Sequence, residues 1–186
     1  PDHGPGLWIT PTGMAYDALT PEDCPFIDAK GAHHGPRRPS SEWRFHYDIL
    51  MARRDVDAVL HAHSRSAMAL SCLRRPIPAF HYMVAAAGGP DIRCAPYALF
   101  GTQALSDHVL AALDGRRACL MANHGVICLG STIAKALALL TEVETLANAY
   151  LQALAVGPPV LLSAAEMDAA LDAFATYGAQ APAPAA

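Results

Sequence analysis

Two histidines separated by one residue, His61–Ala62–His63, carry the first chemical signal in this chain. On an extended strand successive side chains point to opposite faces, so these two imidazoles share one. Two imidazoles on one face make half of a divalent-metal site, which lacks only a third ligand and an open position. The competing reading buries one histidine in a hydrogen bond and leaves the other in solvent. His124 is the natural third ligand, because Asn123–His124–Gly125 reads as a tight turn between strands, where a side chain can be aimed. Three neutral imidazoles plus an open position describe a catalytic site. Zinc suits them best, with cobalt and manganese left open. Glu42 stands near the start of a helix that opens at Pro39–Ser40–Ser41–Glu42–Trp43. An acidic residue there is ordinary first-turn chemistry. Ser40 and Ser41 are candidate caps, and the same helix N-terminus could hold a phosphate instead. Thr12 and Gly13 lie in a Pro11–Thr12–Gly13 turn, a motif that can bind phosphate but is more often only a turn.

The elements that must position these residues follow from local pattern. The run 55–60 is apolar and β-branched enough to be the strand that carries the histidine pair. Strands are also expected at Leu7–Thr10, Phe26–Asp28, Ala118–Met121 and Val126–Cys128, and an extended edge segment at Ile77–Tyr82. Helices are expected from Trp43, with Trp43, Tyr47, Leu50 and Met51 facing the core, from Ser64 to Leu73, and from Thr102 to about Leu113. A long helix should follow Ser131 or Thr132, with Leu137, Leu140, Ala147, Tyr150 and Leu151 on its buried side. Ser163–Glu166 is a capping box for a last helix, and Thr20–Asp23 a capped helical turn. Gly31–Arg38 reads as a loop whose His33 and His34 are solvated, and Ala85–Pro90 as a small, flexible stretch. Helices and strands alternate, so the class is mixed α/β, with helices layered on a sheet.

Composition excludes several classes. Hydrophobic residues make up 53% of the chain and charged residues 16%, which excludes a disordered protein. The net charge is −4 and the arginine pairs are scattered, so no nucleic-acid footprint forms. No apolar run reaches the length of a membrane span. Five cysteines at irregular spacing fit free thiols in a reducing cytoplasm. The 186 residues are expected to form one domain, without internal repeats and with a frayed Pro/Ala tail at 180–186. Pro1 is not a natural start, and further residues are expected upstream.

Five segments together carry a family resemblance. Leu7–Gly13, Pro39–His46, His61–His63, Pro78–Tyr82 and Ala122–Gly125 occur in the order and spacing of the class II aldolase/adducin family. The similarity runs from about Leu7 to about Tyr177. It implies a three-layer α/β/α fold around a central, mostly antiparallel sheet. It implies a zinc-dependent aldolase, one ion per chain, that cleaves a ketose 1-phosphate of the L-fuculose 1-phosphate type to dihydroxyacetone phosphate and an aldehyde. His61, His63 and His124 match metal ligands. Glu42 matches a glutamate that completes the metal shell and then acts as acid/base. Thr12, Gly13, Ser40 and Ser41 match residues that bind the substrate phosphate. Tyr82 matches a tyrosine that protonates the aldehyde oxygen across a subunit boundary. Phe100, Phe174 and Tyr177 match aromatics around the aldehyde pocket. The resemblance further implies a homotetramer with sites at its subunit interfaces. Family members also carry an N-terminal helix and a Gly-Asn segment ahead of the first motif, which these residues do not include.

Two alternatives stand beside the aldolase reading. A sugar-phosphate epimerase or dehydratase of the same family could share the metal site. Glu42 in its Ser-Ser-Glu-Trp context disfavours the epimerase more than the dehydratase. A non-catalytic, adducin-like interaction module would tend to lose the ligands, and the histidine triad is intact here.

Overall fold

Residues 118–121 and 125–129 are buried at every position, which requires cover on both faces of the strands they form. The computed structural model describes residues 5–176. In chain order the strands are β1 (Gly6–Trp8), β2 (Phe26–Asp28), β3 (His33–His34), β4 (Ala58–Ala62), β5 (Cys94–Ala95), β6 (Ala118–Met121) and β7 (Gly125–Gly130). The α-helices are α1 (Trp43–Ala52), α2 (Arg65–Cys72), α3 (Gln103–Ala112), α4 (Ile133–Val156) and α5 (Ala164–Thr176). Tyr16–Ala18, Pro21–Asp23 and Tyr82–Ala87 are 3₁₀ helices.

The larger sheet has the order β4-β7-β6-β5, antiparallel except for the parallel β5–β6 pair. Alternation along β6 and β7 sorts their side chains onto two faces. Cys119, Met121, Ile127 and Leu129 pack with Phe45 and Ile49 of α1 and Leu105 and Val109 of α3. Ala118, Leu120, Val126 and Cys128 pack with Ala67 and Leu70 of α2, Val143 and Ala147 of α4, and Met167 of α5. Helices thus lie on both faces, as the α/β/α expectation requires. A smaller antiparallel sheet, β1-β2-β3, packs Leu7, Ile9 and Ile27 against Trp43, Tyr47 and Leu50 on α1.

The expected caps form. The Thr102 hydroxyl accepts from the Leu105 N–H at 3.3 Å, and the Thr132 hydroxyl from the Lys135 N–H at 3.2 Å. Ser163 and Glu166 bond reciprocally, the Glu166 N–H to Ser163 Oγ at 3.3 Å and the Ser163 N–H to Glu166 Oε2 at 2.7 Å. Among the described residues, no helix is long and apolar enough to cross a membrane.

Several local expectations are corrected. Neither Ser40 nor Ser41 caps α1: Glu42 is the N-cap residue, and the Ser40 hydroxyl accepts the Glu42 N–H at 3.2 Å. That turn leaves the Glu42 carboxylate free to point away from the helix. Met51 is exposed, because α1 turns Phe45 and Ile49 to the larger sheet and Trp43, Tyr47 and Leu50 to the smaller one. Leu137 is likewise exposed, because α4 buries Ala136, Val143, Ala147 and Tyr150, a stripe beginning one residue earlier. His33 and His34 form a short strand on β2, where His34 Nε2 lies 2.8 Å from Asp28 Oδ2. Ile77 makes only an isolated bridge with Ile92, and Tyr82 starts a 3₁₀ helix instead of ending a strand. That helix buries Val84, Ala85 and Ala87, and its small residues let another backbone approach closely, the Arg117 N–H donating to the Ala87 carbonyl at 2.6 Å. Tyr177 and the 180–186 tail lie outside the described residues.

Leu120 is fully buried between β6 and the α2/α4 layer. Leu120→Ala should therefore cost about 2–5 kcal/mol in a denaturant titration. A loss below about 1 kcal/mol would show that this face is not close-packed.

Candidate functional site

The four candidate ligands arrive from three directions. His61 lies near the end of β4, and its Nδ1 lies 3.1 Å from the Val126 carbonyl oxygen on β7. An Nδ1–H donating to that carbonyl leaves Nε2 with its lone pair free. His63 sits one residue past the end of β4, and its Nε2 comes within 3.1 Å of His61 Nε2. His124 occupies the turn between β6 and β7. There Asn123 adopts a left-handed conformation (φ 53°), which asparagine tolerates. α2 clasps this turn from behind. The Asn123 N–H donates to the Ser71 carbonyl at 2.9 Å, and the His124 N–H to Ser71 Oγ at 3.3 Å. Arg74 adds a bond from Nε to Asn123 Oδ1 at 2.7 Å. Glu42 enters from the start of α1, with Oε2 3.2 Å from His61 Nε2 and Oε1 3.0 Å from His124 Nε2. One ligand atom from each of the four lies within 4.8 Å of every other.

These residues fit a divalent ion. Four ligands at the usual zinc–nitrogen distance in a tetrahedron stand about 3.3 Å apart. The His61–His63, His61–Glu42 and His124–Glu42 contacts, at 3.0–3.2 Å, lie close to that spacing. Glu42 Oε1 is buried with no aligned hydrogen-bond donor, which a cation would satisfy. Burial by itself pushes the Glu42 carboxyl up, but the closeness of His124 and His61 outweighs it and holds it far below the usual carboxylate range. Burial, and then the charges His61 and His124 would carry, push the His63 imidazole down. It is therefore neutral, as a ligand must be, at neutral pH.

Around the cluster opens a cleft of about 1060 Å³, with Thr10, Ser40, Glu42, His61 and His63 in its wall. The Thr12–Gly13 turn is tied to the serine segment by backbone bonds, Thr12 N–H to Arg38 O and Ser40 N–H to Thr10 O, both 3.0 Å. Gly13 has φ +70° and open space around it. Ser41 is exposed, and its carbonyl backs onto Gly101, where an added Cβ would come within 2.8 Å. Phe100, the residue before Gly101, is exposed. Tyr82 and Phe174 do not join the cluster within this chain. Their rings lie 6.5 Å apart, and neither lines the cleft.

Three supporting residues escaped the sequence reading. Ser71 has just been described. Gly125 follows the third histidine, and a Cβ there would fall 2.4 Å from Ala62 O and 2.9 Å from His63 Cδ2. Only a glycine lets the turn approach the other two ligands, and a glycine directly after a candidate ligand was its signal. His46 stacks on Phe45 at 4.7 Å, and burial, with the charge His61 would carry, pushes its imidazole down to about 3. Its place in the cleft wall, beside Phe45 and near His61, is set by tertiary packing and left no local trace.

Residues 2–151 match the family described as the class II aldolase and adducin N-terminal domain. A 5-methylthioribulose-1-phosphate/5-deoxyribulose-1-phosphate aldolase of Rhodospirillum rubrum is 55% identical over 183 residues, which is 97% of this chain and 83% of that protein. An L-fuculose phosphate aldolase of Escherichia coli O6:H1 is 51% identical over 174 residues, 93% of this chain and 81% of its own. A solved L-fuculose 1-phosphate aldolase superposes with a TM-score of 0.87 at 40% identity, over 90% of this chain and 79% of that one.

Gly125→Ala should displace the His61 and His63 rings and weaken zinc uptake about 10–100-fold in a competition with a chelating dye. Unchanged uptake would show that the close approach is not needed. His46 gives a pH prediction. In the unfolded chain its imidazole charges near 6.5, whereas the fold keeps it neutral down to about 3. Unfolding therefore takes up a proton below pH 6.5. The His46 contribution to stability is full above that pH and is lost as pH falls toward 3. The thermal midpoint of the metal-free protein should drop between pH 7 and 5, and His46→Gln should flatten that slope. A slope the substitution leaves unaltered would assign the drop to other groups.

Proposed function

The chain belongs to the class II aldolase and adducin family, and from that premise we propose that it is a zinc-dependent aldolase. Its substrate is a 1-phosphorylated ketose, cleaved reversibly to dihydroxyacetone phosphate and an aldehyde. The observation that carries this reading is the convergence of Glu42, His61, His63 and His124 on one point at the wall of a substrate-sized cleft. The named relatives support two kinds of aldehyde fragment. One ends in the deoxy or methylthio carbon of a ribulose phosphate, the other is the fragment of fuculose phosphate. The 55% and 51% identities favour the ribulose type only slightly, so the proposal names both as candidates.

His61, His63 and His124 would hold the ion, with Glu42 as a fourth ligand until substrate arrives. When bound, the ion supplies Lewis acidity to the ketose oxygens next to the bond that breaks. Glu42, whose carboxylate is held ionised, is the base that moves the proton at the carbon beside the carbonyl. The Thr12–Gly13 turn and the Ser40–Ser41 pair bind the phosphate through hydroxyls and N–H groups. This anchors the unreactive end and places the reacting carbon against Glu42. In the condensation direction the exposed Tyr82 phenol donates its proton to the aldehyde oxygen of a site on a neighbouring subunit, and in cleavage the phenolate takes it back from the hydroxyl that becomes the aldehyde, which accounts for its distance from its own cluster. Phe100, Phe174 and Tyr177 close the aldehyde pocket in a tetrameric assembly.

The test is release of dihydroxyacetone phosphate by the zinc-loaded chain from L-fuculose 1-phosphate, 5-deoxyribulose 1-phosphate and 5-methylthioribulose 1-phosphate, each with and without a chelator. Chelator-sensitive release from at least one is expected. Glu42→Gln should keep most of the zinc and lose about 10²–10⁴-fold in turnover. No release from any of the three by a zinc-holding chain would overturn the aldolase in favour of a dehydratase. Near-normal turnover by Glu42→Gln would remove Glu42 as the base.

A further inference from the structure

Helix α2 begins two residues after His63 and ends beneath His124, so it connects two of the candidate ligands directly. Eight residues of helix span about 12 Å, a short and stiff strut. Its far end is fastened by Ser71, whose Oγ and carbonyl take the N–H groups of His124 and Asn123. Its near end is not fastened by its own cap. Ser64 stands at the N-cap with extended backbone, and its side chain makes no capping bond. The capping group comes from another helix. Glu144 of α4 accepts the Ser66 N–H on Oε1 at 2.7 Å and the Ala67 N–H on Oε2 at 3.0 Å. Burial pushes the Glu144 carboxyl up, but the Ala67 and Ser66 N–H groups and the Ser64 and Ser66 hydroxyls outweigh this and keep it low. It is thus an anion against the positive end of the α2 dipole.

Sequence local to α2 gives no reason for a remote cap, so its purpose is to be sought in what α2 carries. Ala67 and Leu70 face Val143 and Ala147 in the α2–α4 layer. Apolar contacts of this kind are non-directional, so they hold the two helices together without fixing how far one slides along the other. A carboxylate taking two successive N–H groups has no such freedom. We propose that Glu144 is a positioning residue for the metal centre: by clamping the start of α2 to α4 it sets where His63 stands relative to His124. The proposal rests on the reading that the histidines hold a divalent ion, and Glu144 itself touches none of them.

The experiment is Co²⁺ titration of the full chain, read as the visible d–d band and as affinity in competition with a chelating dye. The variants are Glu144→Ala and, as a control on the opposite face of the sheet, Val109→Ala. Val109 of α3 is buried with Phe45 and Ile49 of α1 and the sheet face turned away from α2, so its truncation lowers stability without touching α2. Glu144→Ala should bind Co²⁺ about tenfold more weakly and shift the d–d band, the size of effect outer partners of a metal site have. Val109→Ala should keep the wild-type band and affinity. A Glu144→Ala chain with wild-type band and affinity overturns the proposal. So does a Val109→Ala chain that changes both as much, since general destabilisation would then suffice. Should the alanine variant not fold, Glu144→Gln carries the test, because it keeps one carbonyl oxygen for an N–H. A band shift in the same direction with a smaller loss is then expected, and wild-type behaviour overturns the proposal. A wild-type chain that takes up no Co²⁺ overturns the metal-centre reading itself, whereas equal binding by wild type and Glu144→Ala overturns the Glu144 role alone.

Discussion

A half-buried carboxylate set about 3 Å from two imidazole nitrogens, with a third imidazole beside them, is an arrangement that must be held together from outside. The lone pairs of neutral imidazoles converging on a carboxylate repel one another. They are stabilised only by positive charge at their centre, an ion or shared protons. The fold has to supply this convergence before any cation arrives, because ligands free to separate would do so. That demand explains why the four residues sit at element ends and turns. There the backbone can aim a side chain while the adjoining strand or helix keeps it rigid.

The supports nearest the ligands are mostly backbone groups and short side chains. The Val126 carbonyl selects the His61 tautomer, and the Ser71 carbonyl and hydroxyl grip the His124 turn. Asn123 takes the left-handed conformation that lets the turn close, and Gly125 removes the Cβ that would collide with the β4 backbone and the His63 ring. Each support fixes the place of a ligand without competing for the ion. All are anchored in turn by the two apolar clusters that sandwich β6 and β7. Core packing is therefore the source of the precision at the site, since a shift of either helix layer would be transmitted to a ligand-bearing turn.

The chemistry divides along the cleft. At its inner end the groups are partly buried and held in one arrangement. On the proposed reading the phosphate is met by Thr12, Gly13 and Ser41, which, with Phe100, are exposed on loops outside the cleft's lining. A phosphate is a strongly hydrated dianion that can be held by N–H groups and hydroxyls near water, whereas proton transfer at carbon needs a fixed, less hydrated neighbourhood. Tyr82 and Phe174 stand near each other and line no part of the cleft.

Much of this was legible in the residues themselves. The H-x-H pair, the third histidine in its turn, the alternating strands and the threonine and serine caps all depend on interactions within a few residues of chain, and so they leave a local pattern. The sequence by itself determined the ligand types, the α/β class and, through five motifs in order, the family. What only the tertiary structure decided depends on contacts between distant segments. Burial is shared between layers, so periodicity named Met51 and Leu137 as core when the helices turn neighbouring residues inward. The serine hydroxyl closed a turn and made Glu42 itself the N-cap, which periodicity could not see. Ser71, Gly125, His46 and Glu144 matter through what lies across from them in space, 53 residues away in the case of Ser71 and His124 and 78 in that of Ser66 and Glu144. A pattern read along the chain registers the groups that can do chemistry. The groups that place them are specified by packing, which no local spacing encodes.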